Sequence, residues 1–367
     1  MLPVMKTASK VNGIMFIVML AGMFVYSLPA VFTFARNQTQ SLDMFFDGEL
    51  LRKFETFYDK QLFLRDASVQ QWANVQYLLF DESNTGAVFG RDGWLFSNQE
   101  YLVPNDLVGN MDDQLAQIAN VRETLEASGK QLIVLPVPMK LDIQRSQALD
   151  QPTRQILGLH DDFVSRLQGQ RVAVSSVRPA FLAAVGEQDM FLRNDTHWNP
   201  DGARLAAVEL ARQYPELIGD RHYTSSVSGN KSVKGDLVNF LNFDPRLKPR
   251  YFAPVDIKLY ETLDSEQSTA ADALFGEVPQ NLMLVGTSYS RIDDWNFVGF
   301  LKEALHSDIL SIAVEAKGPF QAMDEFLASE ELKDPGITTV IWEFPVRTLL
   351  AQRTTWRMKN QQNTTHF

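Results

Sequence analysis

Leu282-Met283-Leu284-Val285-Gly286-Thr287-Ser288-Tyr289-Ser290 is the stretch that decides the fold. Four apolar residues running straight into Gly-Thr-Ser read as a buried strand that ends in a tight turn. A strand without polar alternation is covered on both faces, as in a parallel sheet flanked by helices. The same strand-and-helix alternation extends outward from it. Upstream, Asn110 is placed to cap a helix through Ser128 (Leu115, Ile118, Val121, Leu125), Gly129 ends it, and residues 132–135 form a buried strand. Downstream, residues 295–306 read as helix, 309–314 as strand, 320–327 as helix and 338–342 as strand. The expectation is an α/β domain with a mostly parallel sheet and helices on both faces. Asp92-Gly93, between the apolar runs 87–90 and 94–96, marks a hairpin. Residues 225–235 and 263–273 read as polar connections, and no internal repeat is present.

In open α/β sheets ligands bind beyond the carboxyl ends of the strands, which is where Ser288 falls. Small residues there let a nucleophile protrude and let backbone N–H groups approach an oxyanion. A second segment carries complementary chemistry: Asn194-Asp195-Thr196-His197-Trp198-Asn199-Pro200-Asp201-Gly202. Asn199 with Pro200 is a helix start, and the helix runs to Tyr214. Asp195 and His197 therefore sit in the loop entering that helix. A carboxylate two residues before a histidine can accept from its ring N–H, fixing the tautomer. Separately, each segment has a plainer reading, a local hydrogen-bond motif and an ordinary turn. Asp195 and His197 are also metal-ligand types, but no second histidine stands at ligand spacing, so no metal and no cofactor are expected. His160, His222, His306 and His366 read as ordinary surface or core residues.

The composition narrows the chemistry. Among 367 residues there is no Cys, which excludes disulfides, thiol nucleophiles and thiolate metal sites. Five histidines leave a short list for imidazole chemistry, and a formal charge of −11 argues against nucleic acid as a partner. No residue from Val11 to Ala35 is charged, enough for the ~20 residues that span a bilayer. Lys6 and Lys10 before it set the N-terminus in the cytoplasm and the rest outside. A cleaved signal peptide is the alternative, with Thr33-Phe34-Ala35 as its weak cleavage site. Residues 1–36 hold three bases and no acid, so the remainder carries −14. Residues 45–81 repeat apolar side chains at helix spacing and read as a stalk, broken at residues 81–86.

Taken together, Asp195-Thr196-His197-Trp198 with Asn199-Pro200-Asp201-Gly202, and Gly286-Thr287-Ser288-Tyr289-Ser290 about ninety residues later, resemble the SGNH-hydrolase-like domain of the alginate O-acetyltransferase family. Gly90-Arg91-Asp92-Gly93-Trp94-Leu95-Phe96, Pro136-Val137-Pro138-Met139-Lys140, Trp295-Asn296-Phe297, Gly318-Pro319-Phe320 and Val340-Ile341-Trp342-Glu343-Phe344-Pro345 fit as well, so the likeness spans about residues 45–350. It implies an SGNH-like domain with Ser288 as nucleophile, His197 as general base and Asp195 orienting it. The order Asp, His, Ser is permuted relative to ordinary SGNH esterases, where Ser comes first. The implied activity is periplasmic O-acetylation of an exopolysaccharide, alginate first, through an acyl-enzyme. An acetylesterase would use the same three residues, and a non-catalytic scaffold of a polysaccharide secretion complex is the reading from another class. The resemblance also implies a multispanning membrane acyltransferase as acetyl relay, with other polysaccharide acetylation or secretion proteins.

Ordinary SGNH enzymes complete the oxyanion hole with a Gly and an Asn from separate blocks, and the resemblance places neither in this sequence. The Ser288 N–H is the expected donor, with Tyr289 and Arg291 as weaker candidates. Lys140, after a strand end, is either a cation lining the site or a solvated loop residue. Trp198 packs in the core, on the imidazole, or on a sugar face. Pro245-Arg246-Leu247-Lys248-Pro249-Arg250 is either a contact for an acidic polysaccharide or a solvated Pro-rich loop. The expected division is an inner-membrane anchor with cytoplasmic tip at 1–36, a helical stalk at 37–84, a periplasmic SGNH-like catalytic domain at 85–355 and a tail at 356–367.

Overall fold

The computed structural model describes residues 3–36, 49–61, 68–71, 86–265, 281–315 and 318–351. Two units divide the chain, Met1–Val75 and Gln76–Phe367. Of the expected features, residues 37–48, 62–67 and 72–84 of the stalk, with the break before Gly86, most of the connection at 263–273 and the tail, lie outside the described residues.

In the first unit, helix α1 (Pro3–Arg36) contains the apolar stretch Asn12–Arg36, long enough to cross a bilayer; a signal sequence would pass the same test. Ile17 is 66 % exposed, on an apolar surface that protein does not cover among the described residues. Helix α2 (Glu49–Gln61) falls within the expected stalk, and its Phe54 and Phe57 rings lie 5.3 and 5.4 Å from Phe34.

The second unit is built on five strands: β3 (Gln131–Val137), β4 (Ala173–Val174), β7 (Leu282–Gly286), β8 (Ile309–Ala313) and β9 (Thr339–Pro345). They pair in the order β4-β3-β9-β7-β8, every pair parallel. Parallel neighbours need crossovers, and the helices supply them. The period of two sends alternate residues to opposite cores. Val134, Val285 and Trp342 face a core with helices α3 (Leu107–Ala127), α5 (Arg154–Gly169) and α11 (Gln321–Leu327). Ile133, Leu284 and Ile341 face the other, with α7 (Pro200–Gln213) and α10 (Phe297–Leu305). Because β9 inserts between β3 and β7, the chain leaves the sheet in opposite directions there, and the carboxyl ends of these three strands border one crevice.

Ahead of the sheet, β1 (Ala87–Phe89) and β2 (Leu95–Ser97) form the expected hairpin. Asp92 and Gly93 take φ of 51° and 78°, the left-handed region that an Asp-Gly turn supplies cheaply.

Two expectations are corrected. Asp106, not Asn110, caps α3, accepting from Gly109 N–H at 3.1 Å. Asn110 is buried and donates to Ala351 O at 3.2 Å, so its amide closes the C-terminal end of the domain. Residues 225–235 are not a connection. All but the last two of them belong to β5 (Tyr223–Val233), which pairs antiparallel with β6 (Val255–Asp264), with a bulge between Val227 and Gly229. Ser, Gly and Asn give this segment little strand propensity, so its partner and the helix beneath hold it. Tyr260 of β6 meets Phe300 of α10 edge-on at 5.3 Å.

Candidate active site

The turn that carries Ser288 is built at the end of β7. Thr287 caps the one-turn helix α9 (Ser288–Arg291), its Oγ1 facing Tyr289 N–H at 3.4 Å. Beneath it lies Glu343 of β9, with no exposed surface. Its carboxylate accepts from Thr287 N–H and Thr287 Oγ1 at 2.9 Å each and from Ser290 Oγ at 2.7 Å. Burial pushes the Glu343 carboxyl up, and the bonds from Ser290 and Thr287 oppose that shift. A Cβ at Gly286 would fall 2.6 Å from Ser290 Cβ and 2.9 Å from Glu343 Oε2, so glycine lets Ser290 and the carboxylate close over the strand end. Glu343→Gln keeps the shape but turns an NH2 group toward donors. The expected result is a stability loss of about 1–3 kcal/mol in urea unfolding.

The second half comes from the loop before α7. Asn199 caps that helix by accepting from Gly202 N–H at 2.8 Å, and Pro200 occupies its first turn. Phe191 bridges Trp198, and Leu192 N–H donates to His197 O at 3.1 Å, which folds the segment back on itself. Asp195 Oδ1 accepts from His197 N–H at 2.9 Å and lies 2.6 Å from His197 Nδ1. Asp195 Oδ2 accepts from Asp236 N–H at 2.8 Å. On the other side of the ring, His197 Nε2 lies 2.7 Å from Ser288 Oγ.

With a carboxylate on Nδ1, the imidazole carries its proton there and presents Nε2 as acceptor to the Ser288 hydroxyl. Asp195 and His197 are 5 % and 7 % exposed, while Ser288 reaches the surface more freely. Burial alone would push the Asp195 carboxyl up. The bonds from the His197 ring and backbone and from Asp236 N–H outweigh it, and the group is held below the usual carboxylate range. Trp295 stacks on the imidazole at 5.9 Å and 25°, and Tyr289 packs against it at 4.8 Å.

Asp195, His197 and Ser288 are thus brought together across 91 residues. Of the four weaker candidates, Tyr289 packs on the imidazole with its hydroxyl turned to a backbone carbonyl, and Lys140, Trp198 and Arg291 are engaged elsewhere. Lys140 is 1 % exposed, so it neither lines the site nor sits in a solvated loop. Its Nζ is bonded to four backbone carbonyls. Trp198 has no exposed surface and offers no face to a sugar. Its Nε1 donates to Tyr289 O at 3.2 Å, tying the two halves together. The Tyr289 hydroxyl donates to Thr196 O at 2.7 Å. Arg291 is exposed, donating to Ala313 O at 3.1 Å and pairing with Glu315 at 3.5 Å. In the basic stretch, Arg246 and Arg250 are solvent-exposed and Lys248 donates to Val238 O at 3.2 Å. His160 is buried on Pro136 O at 3.2 Å, and burial lowers its pKa.

The residues reasoning from sequence missed are Glu343 and Asp236. Asp236 accepts from Thr196 N–H at 2.8 Å and Thr196 Oγ1 at 2.6 Å, and its Oδ2 lies 4.0 Å from His197 Nδ1. Gly235 before it, at φ 81° and with no room for a Cβ against Asn194, was the available signal. Ligand atoms of Asp195, His197 and Asp236 fall within 4.8 Å of one another, a spacing one cation could bridge. Each group is already engaged: Asp195 with His197 and Asp236, Asp236 with Thr196, and His197 Nε2 with Ser288. The donor set therefore reads as a proton-transfer chain.

A family profile described as SGNH hydrolase-like domain, acetyltransferase AlgX, matches residues 87–346. The chain is 35 % identical over 355 residues to the probable alginate O-acetylase AlgJ of Pseudomonas putida, covering 94 % of this chain and 90 % of that one. To the probable alginate O-acetylase AlgJ of Pseudomonas aeruginosa it is 32 % identical over 343 residues, covering 90 % and 87 %. The solved O-acetyltransferase domain of Pseudomonas putida AlgJ aligns with TM-score 0.67 at 31 % identity, over 74 % of this chain and 94 % of that chain.

Proposed function

Because the chain belongs to the family of SGNH hydrolase-like AlgX acetyltransferases, we propose that it is a polysaccharide O-acetyltransferase that acetylates alginate through Ser288, His197 and Asp195. The observation that carries this reading is the unbroken contact from Asp195 through His197 to Ser288, 2.6 Å on one side of the ring and 2.7 Å on the other. Relatives named alginate O-acetylase support the substrate class.

In the mechanism Ser288 Oγ attacks the acetyl carbonyl of the donor while its proton passes to His197 Nε2. Asp195 stabilises the imidazolium that results. The oxyanion lies toward the backbone N–H of Ser288 at the head of α9. Collapse of the intermediate expels the donor's leaving group, which takes the proton from His197, and an acetyl ester remains on Ser288. A sugar hydroxyl then binds, gives its proton to His197 and attacks the ester. Ser288 leaves as the hydroxyl, and the acetylated sugar departs. Water in place of the sugar would make the same site an esterase. Excluding it falls to the bound acceptor.

The location follows the same reading. Residues 1–36 anchor the chain in the inner membrane, 37–84 form the stalk, and 85–355 act in the periplasm. Cytoplasmic acetyl donors do not cross the membrane unaided, so a multispanning acyltransferase relays the group, and other polysaccharide acetylation proteins work alongside. The test uses full-length protein in detergent with a small acetyl ester and mannuronate oligomers. Ester appearing on the oligomers supports transfer. Acetate release with the oligomers never acetylated selects the esterase, and polymer acetylation in cells that persists with Ser288→Ala selects the scaffold.

A further inference from the structure

Lys140 stands at the start of the short helix α4 (Lys140–Ile143), just past the carboxyl end of β3. It is among the largest fully buried side chains. Its ammonium lies 2.6 Å from Leu95 O and Leu192 O and 2.9 Å from Arg193 O and Asp195 O. The Trp94 and Phe96 rings flank it at 4.9 and 5.3 Å. Three of the four carbonyls belong to the loop that carries the catalytic carboxylate, and one belongs to Asp195 itself. The fourth is on β2, whose Leu95 N–H also donates to Arg193 O at 2.9 Å. Glu100 fixes the other side of α4, accepting from Leu141 N–H at 2.7 Å.

In the loop from Leu192 to Asp195, Leu192 O and Arg193 O each accept one backbone N–H, from Asp195 at 3.5 Å and Leu95 at 2.9 Å, and the carbonyls turned inward take their further partner from Lys140. An ammonium has three N–H groups and a neutral amine two, so four acceptors on one nitrogen call for the charged form. A buried cation without an adjacent carboxylate partner is expensive. Burial accordingly pulls Lys140 down to about 7, with the nearby carboxylates of Glu100, Asp195, Asp236 and Asp189 opposing that. No other residue type reaches from β3 to this point with three donors on one atom. Moving the Asp195 carbonyl would move its carboxylate, and with it the 2.6 Å contact to His197.

We infer that Lys140 is the positioning residue for Asp195: its ammonium clamps the carbonyls of Leu192, Arg193 and Asp195 and so fixes the carboxylate on His197 Nδ1. The inference rests on the proposed roles of Asp195 and His197 and adds a cation beneath them that never meets substrate. Lys130 provides the control. It too donates to inward carbonyls, Asp334 O at 2.6 Å and Ile337 O at 2.8 Å, on the connection into β9.

The test compares Lys140→Met, Lys140→Arg and Lys130→Met in the full-length protein. Ester turnover, thermal midpoint and the low-field proton resonance of the Asp195–His197 hydrogen bond are measured. Both Met variants lower the midpoint. Lys140→Met is expected to lose about 100-fold in kcat, with KM within about twofold, and to lose the low-field resonance. Lys130→Met keeps both. Lys140→Arg retains the charge and serves if Lys140→Met does not fold. Its planar fork does not focus on four carbonyls around one point, so it too shifts the resonance and slows kcat by about tenfold. Folded Lys140 variants with wild-type kcat and resonance overturn the inference, as do equal losses in Lys130→Met. The resonance reads the Asp195–His197 bond directly. It therefore judges Lys140 even if Ser288→Ala keeps its turnover and the nucleophile assignment fails.

Discussion

Ser288→Ala loses about 10⁴-fold or more in kcat for both acetate release and acetyl transfer, while KM for the ester changes little. In the proposed mechanism the hydroxyl removed is the atom that bonds to the acetyl carbon, and no thiol in the chain could substitute for it. Ser290, two residues on, does not take over. Its Oγ is buried and held by Glu343, to which it donates at 2.7 Å, while His197 Nε2 is engaged by Ser288. Thr287 Oγ1 is held by the same carboxylate. The cost to folding is small, because the change removes one partly exposed oxygen and leaves the Thr287 cap and the bonds to Glu343 intact. Initial rates and unfolding midpoints on the same preparations separate the two effects. A variant that keeps more than about a tenth of wild-type kcat is incompatible with a serine nucleophile here.

The second large effect is at Asp195. Asp195→Asn preserves volume but turns an amide toward His197 Nδ1. An amide N–H facing Nδ1 favours the tautomer with the proton on Nε2, which then points a donor at Ser288 instead of an acceptor. In serine proteases the corresponding change costs about 10⁴-fold in kcat, and a similar loss is expected here. Acid stability should change as well. Despite burial, hydrogen bonds hold the Asp195 carboxyl below its ordinary value. A depressed carboxylate contributes stability that is present above the unfolded value, ~3.9 for Asp, and is lost as pH falls through the folded value. Wild type therefore loses stability below about pH 4 in part through this group. Asp195→Asn, less stable at neutral pH, shows a shallower fall in that window when urea midpoints are taken from about pH 5 to pH 2.

How far the sequence carries depends on how local each feature is. β7 and β9 are legible because continuous apolar runs mark strands buried on both faces. The hairpin at Asp92-Gly93 and the helix start at Asn199-Pro200 are legible because turn and cap chemistry act within three residues. Asp195 and His197 are two residues apart, so their partnership is readable, and the family resemblance adds Ser288. The β5–β6 ribbon is illegible for the opposite reason: Ser225, Ser226, Gly229 and Asn230 become strand only because β6 pairs with them, with Ser228 carried as the bulge. Glu343 reads as one acid in an apolar run, and nothing nearby says it lies beneath Thr287, 56 residues earlier. Lys140 after a strand end reads as a cation lining the site or a solvated loop residue, because its burial depends on carbonyls about 45 to 55 positions away.

The charge is also clearer in three dimensions. Past the apolar segment the chain carries −14, and several of those acids are interior. Glu100, Asp142, Asp195 and Glu343 are buried, engaged respectively with Leu141 N–H, Arg178, His197 and the nucleophile turn. They build the scaffold of the site, so the net charge is a poor guide to what the site itself accepts.

The central claim is that Ser288 carries the acetyl group between donor and sugar. Rapid quenching of full-length protein with an acetyl donor, followed by peptide mass mapping, tests it most directly. The account predicts one acetyl group on the peptide containing Ser288, absent in Ser288→Ala. Adding mannuronate oligomers should discharge it as ester appears on the sugar. Acetylated oligomers formed at wild-type rate by Ser288→Ala, with no acetyl ever found on the Ser288 peptide of wild type, would contradict it.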